Sequence, residues 1–136
     1  TIAETGHLVF ATLHTNSASQ SIDRIVDVFP ENQQAQISLQ LSNCLEAIIS
    51  QRLLPGITEG RVPAVEILLA SPAVRSTIRE GKTHMIDNII QTSGDLGMRT
   101  MDMSLSALLA SGKISYETAM AYASNPENIG RGIKKK

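Results

Sequence analysis

The stretch GHLVFATLHTNSA, residues 6–18, decides how the chain is read. Between His7 and His14 runs LVFATL, a short apolar segment without polar alternation. That is the pattern of a strand covered on both faces in a parallel sheet. Such a strand carries its last side chains to the carboxyl edge of the sheet, where ligands bind in open α/β folds. His14, Thr15, Asn16 and Ser17 fall at that edge, and His7 at the opposite one. Two readings of His14 stay open on spacing alone. It either donates a hydrogen bond to a phosphate oxygen or poises a water, or it packs the strand end as a satisfied histidine.

Ser17 followed three residues later by Gln20 makes a capping box, and Ile22, Ile25, Val26 and Phe29 share one helical face up to Pro30. Ile37, Leu41, Cys44, Leu45 and Ile48 predict a second amphipathic helix leading into a short strand, SQRLL (50–54). After the Pro55–Gly60 turn, RVPAVEILLA (61–70) alternates Val65, Ile67 and Leu69 against Ala64, Glu66 and Leu68. A short connection between the two strands implies an antiparallel pair.

From residue 71 onward the pattern is helical. Ser71 and Pro72 suit the cap and first position of a helix ending at Gly81. Met85, Ile86, Ile89 and Ile90 mark a second; Met98, Met101, Leu105, Leu108 and Leu109 mark a third ending at Gly112. Ser115 opens a last helix stopped by Asn125 and Pro126. The expected organisation is the back half of an α/β sheet domain (1–70), a small helical bundle (71–128) and a basic tail (129–136).

Composition narrows the function. The chain has 136 residues, 42% hydrophobic and only 3% aromatic, so its core is aliphatic and base-stacking nucleic-acid modules are disfavoured. Four of the 12 basic residues, Arg131 and Lys134 to Lys136, lie in the last six positions, which leaves eight against 13 acidic residues elsewhere. A body so acidic argues against a phosphate-backbone binder, which needs a basic face. The single cysteine, Cys44, excludes an intramolecular disulfide or a multi-cysteine zinc site and suits a buried helix position in a reducing compartment. No apolar run reaches the roughly 18 residues that span a membrane. Thr1 stands where an initiator Met would, close before a core strand, and a piece of something larger is expected.

Arg75 and Arg79 share a helix face. They are either a solvated surface or a guanidinium pair for carboxylate or phosphate groups on a partner. Met98, Met101 and Met103 read as packing residues. There is no Gly-x-x-x-x-Gly-Lys-[Ser/Thr] loop, zinc spacing or nucleophile triad.

AETGHLVFATLHTNSA with IDRIVDVFP resembles the histidine box of the secretion ATPase superfamily, which drives type IV pili and type II and type IV secretion. AVRSTIRE (73–80) resembles the Ala-Ile-Arg-Asn-Leu-Ile-Arg-Glu signature of its pilus-retraction, or twitching-motility, branch. Val74, Ser76 and Thr77 depart from that signature; Arg75, Ile78, Arg79 and Glu80 keep it. The likeness extends through GRVPAVEILL and LGMRTMDMSL and weakens in the last ten or so residues. It implies the back half of a RecA-like ATPase core, with parallel strands and an antiparallel hairpin, then a C-terminal helical bundle.

The resemblance also implies function. The parent would be a homohexameric cytoplasmic ATPase at the inner-membrane base of the pilus machine, working on a platform protein, without nucleic acid or direct membrane insertion. ATP and Mg2+ would be bound by the parent, and none by this piece alone, because the phosphate-binding loop and Walker B carboxylate lie upstream; Glu4 falls beyond the Walker B position. The histidine box maps to His7, Thr12, His14, Thr15 and Asn16. His14 takes the γ-phosphate contact, His7 domain packing or coupling, and Arg24 a subunit interface. No residue is assigned to a metal. Assembly and secretion relatives typically carry a four-cysteine module that a chain with only Cys44 lacks, which favours retraction. An assembly or secretion ATPase of the same superfamily and a non-enzymatic α/β interaction module are the alternatives.

Overall fold

In the computed structural model, residues 2–58 and 60–129 are described. Helices α1 (Ala18–Asp27) and α2 (Glu31–Cys44) precede strands β1 (Ala47–Pro55) and β2 (Arg61–Leu69). They are followed by α3 (Pro72–Arg79), α4 (Ile86–Thr92), α5 (Met101–Ala110), α6 (Tyr116–Tyr122) and α7 (Pro126–Ile129). The molecule is mixed helix and sheet, as expected, and the antiparallel pair forms with Gln51 opposite Val65 at its centre and Ser50 opposite Glu66 beside it. The free edge of β2 is closed locally by Arg99: Ile67 N–H donates to Arg99 O at 2.8 Å and Arg99 N–H to Ile67 O at 3.1 Å.

The opening stretch departs from its reading. Residues 7–15 take no regular secondary structure, and the two-stranded β1–β2 sheet includes no parallel strand among the described residues. A strand exists only through ladder bonds to neighbours. The LVFATL segment meets none here, so its apolar side chains stand in solvent, Phe10 at 89% and Leu8 at 78% exposure.

The inner face of the hairpin organises the core. Side chains alternate across a strand, and in β2 the buried ones are Ala64, Glu66 and Leu68, while Val65, Ile67 and Leu69 are half-buried. Leu68 packs with Ala18, Ile22, Val74, Ile78, Ile86, Ile90 and Met98. Ala64 packs with Leu54, Met101, Leu105, Ile114, Ala119 and Ile129. Each large aliphatic side chain so buried contributes about 1.5–3 kcal/mol. Both clusters draw on residues before and after 70.

Three local expectations are revised. Cys44 ends α2 half-buried rather than deep in the core. Pro126 does more than stop α6: its fixed φ suits the first position of a helix, and α7 begins there. Ile129, assigned to the tail, is buried in the second cluster, and the rest of the expected tail, 130–136, lies outside the described residues.

Candidate functional site

The site is built on the start of α1. Ser17 is extended (φ −149°, ψ 163°) and its Oγ accepts from Gln20 N–H at 3.2 Å. Gln20 Oε1 in turn accepts from Asn16 N–H at 3.2 Å, so the Ser17–Gln20 half of the predicted capping box forms and the return bond falls one residue before the N-cap. Thr15 Oγ1 bonds the Ser21 hydroxyl. The irregular segment is therefore pinned where it enters the helix.

His14, Thr15, Gln20, Asp23, Arg24, Asp27 and Val28 line an open groove of about 540 Å³. His14 and Arg24, assigned to separate roles, thus share one concavity; both are exposed. Asn16 and Thr12 are exposed outside its lining. His7 lies at the other end of the segment, its Nδ1 2.9 Å from Thr5 Oγ1. The structure does not bring the two histidines together in that groove.

The AVRSTIRE helix is α3, and its residues divide. Ile78 is core. Arg75 is no solvated surface residue: its Nη1 donates to the carbonyls of Ser42 at 2.7 Å and Asn43 at 3.1 Å, and its Nη2 reaches Glu46 at 3.4 Å. A guanidinium at the carboxyl end of α2 satisfies orphan carbonyls and complements the helix dipole. Arg79 and Glu80 are exposed and line a second groove of about 330 Å³ between α1, α2 and the end of α3. Lys82, 2.8 Å from Glu80, lowers that carboxyl's pKa by hydrogen bond and charge. Asp23 and Asp27 line this groove as well as the His14 groove.

One residue escaped the sequence reading. Glu66 is 6% exposed, and its Oε1 accepts from Ala18 N–H at 2.9 Å while Oε2 accepts from Met101 N–H at 3.2 Å. Ala18 and Met101 are the first residues of α1 and α5. Burial raises the Glu66 pKa above its ordinary value, against the two N–H bonds that lower it. The available signal was a lone carboxylate in an otherwise apolar strand, in register with the buried face. Because Glu66 already takes the first amide of α1, an anion near His14 would be met by side chains more than by that amide.

A family model described as type II/IV secretion system protein matches residues 1–59. The chain is 52% identical over 129 residues to the type IV pilus retraction ATPase PilT of Pseudomonas aeruginosa, covering 95% of this chain and 38% of that one. The chain belongs to the type II/IV secretion system protein family. Within that family it is also 49% identical over 130 residues to a twitching motility protein of Neisseria gonorrhoeae, covering 95% of this chain and 35% of that one. A solved structure described as the pilus retraction motor PilT with bound ADP superposes with a TM-score of 0.81 at 46% identity, over 92% of this chain and 35% of its own. The chain spans a little over a third of the length of the curated secretion-family relatives it matches.

Proposed function

We propose that the protein of which this sequence forms part is a hexameric motor ATPase that couples ATP hydrolysis to type IV pilus retraction. The observation that carries the reading is the 52% identity to a retraction ATPase across nearly the whole chain, the arginine-containing α3 included. In this proposal His14 contacts the γ-phosphate of ATP from its groove, and Arg24, on the same groove, faces a neighbouring subunit. His7 serves domain packing or interface coupling, and Thr12, Thr15 and Asn16 complete the histidine box. Hydrolysis of a phosphoanhydride by water is largely positioning and electrostatic stabilisation of charge on the transferred group, and a His14 hydrogen bond supplies part of each. Mg2+ accompanies the nucleotide in the proposed parent. Among the described residues no group of three or more His, Cys, Asp or Glu side chains converges as its site, and no step is assigned to it.

Retraction is carried, in this reading, by Arg79 and Glu80 on the second groove, with α1 as the wall between them and the nucleotide-facing groove. The motor works at the cytoplasmic face of the inner membrane on a pilus platform protein. This is compatible with the absence, among the described residues, of any helix long and apolar enough to cross a membrane. The segment taken alone neither binds ATP tightly nor hydrolyses it.

Two variants of the full-length protein test the proposal. His14→Ala should lower ATP turnover by about a hundredfold, the scale of losing one preorganised donor to developing charge; unchanged turnover removes His14 from the chemistry. Arg79→Ala should retain hydrolysis and abolish twitching. Arg79 is the cleaner probe of the two arginines, because Arg75 also holds the end of α2. Normal motility in Arg79→Ala would return the exposed end of α3 to the solvated-surface reading.

A further inference from the structure

Glu66 lies at the seam of the molecule. On the buried face of β2 its neighbours are Ala64, which belongs to the α5–α7 cluster, and Leu68, which belongs to the α1–α4 cluster. Its two carboxylate oxygens divide the same way, one holding the first amide of α1 and the other the first amide of α5. Each helix start carries orphan donors and the positive end of a dipole. A carboxylate is the one side-chain group that accepts at both oxygens at once. Met101 adjoins Asp102, whose carboxylate accepts from Ser124 N–H at 2.8 Å and Asn125 N–H at 2.9 Å. The chain of contacts thus continues from α1 through Glu66 and α5 to the turn between α6 and α7.

We propose that Glu66 is a positioning residue for ATP hydrolysis, fixing the start of α1, and with it His14, relative to the helices that follow the hairpin. The proposal rests on the reading of His14 as the γ-phosphate contact. Only Thr15, Asn16 and Ser17 lie between His14 and Ala18, and the Ser17–Gln20 and Asn16–Gln20 bonds with the Thr15–Ser21 bond make that short span stiff. Where Ala18 is held, His14 follows. Loss of one Glu66 oxygen frees one helix start and lets the His14 turn drift without removing any group that touches nucleotide.

The full-length protein provides the test. Glu66→Gln preserves side-chain shape but presents an NH2 to one of the two amides. It should lower kcat for ATP hydrolysis by about tenfold to a hundredfold, the cost of displacing a catalytic group by up to an ångström, while KM shifts less than about twofold. In the double variant with His14→Ala, the loss should be no greater than in His14→Ala alone, because both act on one contact. Glu66→Asp keeps the charge but is one methylene short of bridging both helices. It should show the same kcat loss and non-additivity, and it answers for Glu66→Gln if that variant does not fold. A merely structural role lowers the active fraction and makes the losses multiply. Multiplying losses, or full kcat in Glu66→Gln, overturn the positioning role and leave the His14 reading standing; full kcat in His14→Ala overturns both.

Discussion

Arg75 and Arg79 stand four residues apart on α3 and are held by very different surroundings. Arg75→Ala strips two charge-assisted hydrogen bonds from the end of α2 and should cost about 2 kcal/mol, whereas Arg79→Ala, at an exposed site, should stay within about 0.5 kcal/mol. Urea unfolding of the two variants separates them. Spacing located both arginines but could not separate them, because the carbonyls that bind Arg75 lie more than 30 residues away in the chain. The partners of Glu66 were illegible for the same reason: the amides it satisfies come from two distant helix starts. Its raised pKa has a definite sign. The folded state holds the proton more tightly than the unfolded chain, so this group's contribution to stability is full below the unfolded value and declines as pH rises through the folded one. Unfolding free energy measured against pH should carry that decline in the native protein, and Glu66→Gln should lack it.

At the scale of elements, what rests on contiguous residues was readable. The Ser17 cap on Gln20 N–H, the Ser71 cap whose Oγ accepts from Val74 N–H, and the Ser115 cap on Thr118 N–H all stand where the spacing put them. Ser17→Ala should cost about 1 kcal/mol, seen as a lower thermal midpoint. Gly97, in the turn before β2's contact with Arg99, has φ +92° and would bring an added Cβ to 3.7 Å from Leu69. Space therefore permits Gly97→Ala but the left-handed backbone does not, and about 1–2 kcal/mol should be lost. LVFATL was misread as a strand because an apolar run reports the wish to be covered, while a strand also needs a partner's backbone. α7 was missed because proline ends one helix and starts another with equal ease.

Over the whole molecule, the antiparallel hairpin joins two aliphatic clusters, and the mixed helix and sheet character was evident from the change of pattern at residue 71. The uncovered LVFATL segment has a physical cost, since exposed contiguous apolar side chains favour self-association. The 136-residue chain should scatter light increasingly with concentration, and Phe10→Ser, removing the most exposed of these side chains, should reduce that scattering without altering the unfolding midpoint. Absence of any difference between the two would mean the segment is covered in solution.

Helix α1 has a consequence of its own, because Asp23 and Asp27 border the His14 groove on one side and the Arg79 groove on the other. The same two carboxylates thus face whatever occupies either groove, so replacing Asp23 or Asp27 changes the charge lining both at once.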